Sequence, residues 1–143
     1  MVNVSRISRP LPHIEENKLY GPYFKGLQEN KLMVQNCTEC GHVQWPPRDF
    51  CYKCQGNSLD WKEVQQSGKV FTYSIMYRAF DPWFKDKLPY AVVAVELEDG
   101  VRMLGSYFAD DVESIEVDMP MKASFNHENK DVSVLTWVKD NTK

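Results

Sequence analysis

The chain has 143 residues, 43% of them apolar and 13% aromatic, enough to bury a core and to exclude wholesale disorder. Its formal charge is -3, unevenly spread: residues 1–60 hold seven Lys/Arg against six Asp/Glu, and residues 61–143 hold ten against fourteen. An acidic C-terminal half offers no phosphate track, which argues against nucleic-acid binding.

Residues 1–19 read as an extended N-terminal arm, since Pro10 and Pro12 favour extended backbone and no apolar period develops. It is either a fraying terminus or a strap that docks on a partner. A helix follows. Pro22 suits a first helical position, Tyr20, Phe24 and Leu27 form one stripe, and Asn30 is the stop. Residues 31–36 are strand-like. Residues 37–54 have little periodicity and much punctuation (Gly41, Pro46, Pro47, then Gly56), so that segment needs a tether. Leu59 and Trp61 alternate as a short strand, and residues 65–69, with Gly68, read as a hinge.

Residues 69–138 read as nearly all strand. The span 70–77 is rich in β-branched and aromatic residues. Spans 90–98 and 101–108 flank Asp99-Gly100, a strong hairpin signal. Spans 121–126 and 132–138 flank the polar turn 127–131. Five short strands point to an OB-fold barrel, with an SH3-like barrel or an open sandwich as alternatives. The expected division is an arm over 1–19, a helix with a small metal ribbon over 20–64, and the barrel over 65–143.

All four cysteines lie in Cys-x-x-Cys pairs, Cys37/Cys40 and Cys51/Cys54, separated by ten residues. A two-residue gap turns both sulfurs of a tight loop toward one ion, with backbone N–H groups free to donate to them, and Gly41 and Gly56 supply permissive backbone. Two such knuckles make a four-sulfur cage with no position left for water, so the expected metal is structural Zn2+, with iron in a rubredoxin-like site as the main rival. No cysteine is left over as a nucleophile.

The longest apolar run, residues 90–95, is six residues long and cannot span a membrane. No export signal is evident, and a reducing cytoplasm, where paired cysteines mean metal, is the expected location. His13, His42 and His127 are scattered and read as surface residues. The acids Asp110, Asp111, Glu113, Glu116 and Asp118 read as a solvated loop. The segment 79–90 is unusual in placing Phe80, Trp83 and Phe84 in a loop with Lys85 and Lys87, ahead of Tyr90. Those aromatics are either tucked over a barrel end or exposed to line an apolar channel or interface, with the lysines meeting phosphate or acidic groups. Arg48, after Pro46-Pro47, either pairs with a nearby carboxylate or meets a phosphate or partner subunit.

Taken in order, these elements resemble a family of small proteins joining an N-terminal helix, a rubredoxin-like zinc ribbon and a C-terminal OB-fold, associated with acyl-CoA enzymes. The resemblance runs from about Tyr20 to Phe125. It rests on Lys31-Leu32, Cys37-x-x-Cys40-Gly41, Pro46-Pro47-Arg48, Cys51-x-x-Cys54, Gly68-x-Val70-x-Thr72-x-Ser74, Pro89-Tyr90, Val95-x-Leu97-x-Asp99-Gly100 and the strand from Met119 to Phe125. One departure is Asp118, where the family often has Gly, so the backbone there is expected to differ. The resemblance implies a non-catalytic accessory subunit of a thiolase-like or hydratase-like enzyme, in a hetero-oligomer with acyl-CoA at or near the interface. The thiolase-associated kind from aromatic degradation is the nearest in character. On that view Arg48, Phe80, Trp83, Phe84, Lys85, Lys87 and Tyr90 face the partner or the CoA thioester. A nucleic-acid-binding module is the alternative. A stand-alone enzyme lacks a Ser-His-Asp order, a Gly-rich phosphate loop or an open metal site.

Overall fold

The structure is a computed structural model and describes residues 8–16 and 18–141, so part of the expected arm lies outside the described residues. A 3-10 turn, Lys18–Tyr20, leads into helix α1, Gly21–Gln28, with Pro22 in its first turn. The helix ends where the Lys31 N–H folds back on the Gly26 carbonyl and Asn30 takes a left-handed φ of 60°. Leu27 is buried, and Tyr23 and Phe24 pack beside it.

Strands β1 (Leu32–Cys37), β2 (Val43–Gln44) and β3 (Leu59–Val64) form an antiparallel sheet in the order β2-β1-β3. Strand β2 lies in the stretch that showed no periodicity; two residues are too few to leave a pattern. Strands β4 (Ser67–Met76), β5 (Tyr90–Glu96), β6 (Arg102–Tyr107), β7 (Pro120–His127) and β8 (Ser133–Lys139) close a barrel in the order β4-β5-β6-β8-β7. Pairing of Ser67–Lys69 with Pro120–Lys122 closes it. This is the expected five-stranded OB-fold. Strand β4 starts inside the presumed hinge, because Gly68 lies so near the Glu96 carbonyl that a Cβ would strike it, and the chain there is packed backbone.

Inward positions alternate as a barrel requires: Ala91, Val93 and Val95 on β5, Met103 and Tyr107 on β6, Leu135 and Trp137 on β8. Val112 and Ile115 plug one end, and Leu27, Leu32, Val34 and Val64 continue the same cluster into the helix and ribbon. The β5–β6 turn has Asp99 at φ 62° and Gly100 at φ 72°, two left-handed residues in a row, and Leu97 N–H donates to the Val101 carbonyl at 2.7 Å across it. Asp118 also sits at φ 71°, the conformation in which glycine is unstrained, and its N–H donates to the Val70 carbonyl at 2.8 Å. Asp118 thus adopts a left-handed turn of the kind glycine takes without strain.

Candidate metal centre and aromatic loop

The first knuckle hangs from the end of β1. Cys37 donates its N–H to the His42 carbonyl at 2.8 Å, Gly41 donates back to the Cys37 carbonyl at 2.9 Å, and Gly41 adopts φ 79°. The second repeats the pattern, with Cys51 N–H to the Gly56 carbonyl at 2.8 Å and Gln55 N–H to the Cys51 carbonyl at 2.9 Å. There the left-handed residue is Gln55, at φ 64°, and not the glycine. Gly56 serves a different need, since a Cβ on it would run into the Glu39 carboxylate.

The four sulfurs lie within 4.8 Å of one another, with Cys37–Cys54 and Cys40–Cys51 each 3.6 Å apart. A tetrahedral ion with bonds of about 2.3 Å to sulfur sets its ligands about 3.8 Å apart, so the cage has the right size. Lys53 N–H points at the Cys51 sulfur at 3.3 Å and Gly56 N–H at that of Cys54 at 3.4 Å. The Cys54 backbone N–H leads the causes that lower Cys51 to about 7. Cys54, despite the Gly56 N–H in its favour, is pushed up to about 12 by the crowding sulfurs, Cys37 first, and by desolvation. Four sulfurs this close cannot all be anionic without a cation among them. The four cysteines are thus positioned to bind a metal with every ligand position filled by protein, and the sulfur-only set suits zinc or iron.

Two glutamines that the sequence did not single out hold the cage to the sheet. Gln35 and Gln44, cross-strand neighbours on β1 and β2, are each 3% exposed. Gln44 Nε2 donates to Gln35 Oε1 at 2.9 Å and to the Phe50 carbonyl at 3.1 Å, and its Oε1 accepts the Tyr52 N–H at 2.9 Å. Gln35 accepts the Arg48 N–H at 2.8 Å and donates to the Arg48 carbonyl at 2.9 Å. The loop through Pro46-Pro47-Arg48 and the start of the second knuckle are therefore clamped by buried amides. The Arg48 side chain is exposed; its Nε donates to the Tyr52 hydroxyl at 2.7 Å, and among the described residues it makes no ion pair.

The aromatic loop folds into a 3-10 helix, Pro82–Lys87, capped by Asp81, whose carboxylate accepts the Trp83 N–H at 2.9 Å. Trp83 and Phe84 meet edge to face at 4.9 Å, Phe84 stacks on Tyr90 at 4.8 Å, and Phe108 joins Tyr90 at 5.4 Å and Trp83 at 5.9 Å. The Lys87 ammonium lies 3.7 Å above the Trp83 ring, and the Arg9 guanidinium 4.8 Å from it. Arg9, on the described part of the arm, also pairs with Glu128 at 2.9 Å. The structure thus gathers Trp83, Phe84, Lys87 and Tyr90 into one barrel-end cluster and leaves Phe80, 83% exposed, and Lys85 pointing outward. Arg48 belongs to the ribbon and joins neither. Arg9 and Phe108 complete the cluster; Phe108 was legible only as the end of a strand, and an arginine in a proline-broken arm carries no local signal.

His127 is fixed between Ser133 at 2.6 Å and Asn30 at 2.9 Å, and Asp111 pairs with Lys139 at 2.6 Å. Both read as ties between elements.

A closed sulfur cage on a three-stranded sheet, joined through one core to an OB barrel, defines a metal-ribbon/OB-fold protein. Residues 24–60 match the ChsH2 rubredoxin-like zinc ribbon domain, and residues 61–126 match the ChsH2 C-terminal OB-fold domain. The chain belongs to the DUF35 family, being 33% identical over 110 residues to a DUF35 domain-containing scaffold protein of Methanocaldococcus jannaschii, across 74% of this chain and 77% of that one. It is 30% identical over 115 residues, 79% of its length, to a probable enoyl-CoA hydratase alpha subunit of Thermomonospora curvata, of which it spans only 34%. Among solved structures, an Ltp2-ChsH2(DUF35) aldolase chain superposes with a TM-score of 0.76 at 25% identity, covering 90% of this chain and 98% of that chain.

Proposed function

We propose that this chain is a non-catalytic accessory subunit of an acyl-CoA-processing enzyme, with zinc as its structural metal and a thiolase-like catalytic subunit as its partner. The kind intended is that of the small subunit of benzoylsuccinyl-CoA thiolase from aromatic degradation, working in the cytoplasm. The observation that carries the reading is the superposition of 90% of the chain on the DUF35 chain of an aldolase assembly. The site supports it chemically, because a cage with four thiolate ligands offers substrate no open coordination position. The barrel end supplies the docking chemistry: exposed Phe80 as an apolar anchor, exposed Lys85 for a phosphate or carboxylate, and the Trp83, Phe84, Lys87 and Tyr90 cluster as a rigid base. Arg48, with its backbone clamped by Gln35, presents a guanidinium from the ribbon.

Co-expression with a thiolase-like protein encoded beside it, followed by size exclusion and zinc analysis of the complex, tests this. Co-elution with one tightly held zinc per chain is expected. Separate elution at micromolar concentration, or turnover of an acyl-CoA by the isolated chain, overturns it.

A further inference from the structure

Strand β4 changes character halfway along. Its pairing with β7 stops at Lys69, and on that side Val70 makes the last bonds, to Asp118 and Met119. Beyond this point β5 lines one edge through Met76, while among the described residues no strand lines the other. Phe71 to Ser74 are four consecutive exposed residues, so both faces are open there together with the edge. Phe71 is 41% exposed, Tyr73 38% and Tyr77 64%, and Phe80 follows at 83%.

The residues are Val70, Phe71, Thr72, Tyr73, Ser74, Ile75, Met76 and Tyr77, without a charge or a proline. Folded proteins blunt exposed edges with charges, prolines or a covering element. Among the described residues, the register shift between Val70 and Thr72 is the one such device along this edge. Unpaired backbone groups flanked by β-branched and aromatic side chains accept an added strand: main-chain bonds hold it and the aromatics pack on it.

The charges bounding the segment decide what kind of strand. Lys69 stands at one end, with Arg102 stacked 3.6 Å over the Phe71 ring, and Arg78 at the other. Glu96, cross-strand from both Lys69 and Arg102, offsets one of the two cations at its end. Glu113 reaches the far end through the Tyr77 hydroxyl at 3.1 Å, so the in-line cations that flank the open stretch are Lys69, just before it, and Arg78, just after it. Because β7 already occupies the edge of Lys69, antiparallel self-pairing over the open residues, about Ser74, would set Arg78 of each copy opposite Val70 and next to Lys69 of the other, an unfavourable like-charge approach. An uncharged segment with an acidic residue at each end meets both cations.

We propose that the open edge of β4 over residues 71–77 takes an extended, uncharged strand with acidic flanks, donated by the catalytic subunit. The donor rests on the accessory-subunit reading above; the edge and the chemistry it selects do not.

Two arms test it. In the first, the full zinc-loaded chain is titrated with the capped peptide Asp-Thr-Val-Thr-Val-Thr-Val-Thr-Glu while amide hydrogen exchange is followed. Saturable protection within residues 71–77 is expected, with binding at least tenfold weaker for a peptide carrying Lys at both ends and for one N-methylated at alternate residues. Equal binding of all three, or protection elsewhere only, overturns the proposal. In the second, the exposed pair is changed to Thr72→Glu/Ser74→Glu and co-elution with the catalytic subunit is measured. At least a tenfold loss is expected, and unchanged co-elution overturns the proposed donor while leaving the accessory role standing. If the unaltered chain forms no complex, the accessory reading fails and the peptide arm alone decides the edge. A dimer of the chain alone that the double substitution dissolves shows that the occupant is a second copy, and the proposal falls.

Discussion

Replacing Gln44 by Leu tests whether the buried amide pair holds the metal ribbon together. The two side chains have similar volume and the site is 3% exposed, so the change removes hydrogen bonds without opening a large void. Three contacts go: the Tyr52 N–H loses its acceptor, and the Phe50 carbonyl and Gln35 Oε1 each lose a donor. Gln35 Oε1 keeps the Arg48 N–H, so two backbone groups remain unpaired. A buried group left so costs about 1–3 kcal/mol, and burying apolar Leu in place of the amide returns about 1 kcal/mol. Both groups are only partly buried, which places the expected net loss in the lower part of the resulting range, about 1–3 kcal/mol. At about 3 °C per kcal/mol for a chain of this size, the melting temperature should fall by about 3–9 °C. The decisive assay is zinc transfer to a colorimetric chelator, because Tyr52 lies within the second knuckle and its loosening should speed metal loss at least tenfold. The pair should also be non-additive, with Gln35→Leu/Gln44→Leu costing less than the sum of the single changes. Unchanged metal release together with a melting shift below about 2 °C would refute the clamp.

Cys37→Ser or Cys54→Ser should cost the ribbon its metal and most of its fold, since metal binding is worth on the order of 10 kcal/mol to such segments, while strands β5 to β8 keep their exchange protection. Simultaneous loss of protection in the barrel would show that the shared core around Leu27 makes the two inseparable. Trp83→Ala should destabilise the isolated chain by about 2–3 kcal/mol in urea, because the ring packs on Phe84 and Phe108 between two cations, whereas Phe80→Ala should change stability by less than about 0.5 kcal/mol and act only on co-purification. Gly105→Ala should cost about 1–3 kcal/mol by thermal melting, since its Cβ would meet the fully buried Trp137 ring at 2.8 Å.

Much of this molecule was legible because its signals are local. Cys-x-x-Cys spacing declares a cage within four residues, Asp99-Gly100 declares a hairpin within two, and short strand-like spans bounded by turns declare a barrel wall. What escaped shares one property: its meaning depends on a partner far along the chain. Gln35 is an ordinary polar residue in a strand until Gln44 and the Arg48 backbone are set against it. Gly56 looks like a turn residue, but its requirement comes from Glu39 on the other knuckle. Arg9 lies in a segment with no periodicity and finds Trp83 and Glu128 only after the barrel has formed.

The same distinction explains why the aromatic loop could not be assigned from its composition. Phe80, Trp83 and Phe84 are equivalent as apolar residues in a loop, yet one is exposed and two are packed. What separates them is Asp81: by accepting the Trp83 N–H it starts a short helix that turns the two later rings onto Tyr90 and Phe108 and leaves Phe80 ahead of the turn, outside the cluster. A side chain kept in water at 83% exposure beside a saturated cluster adds nothing to the stability of the isolated chain. The proposed docking role would use that exposure, and Phe80 is close in sequence to the open edge of β4, where Tyr77 is also exposed.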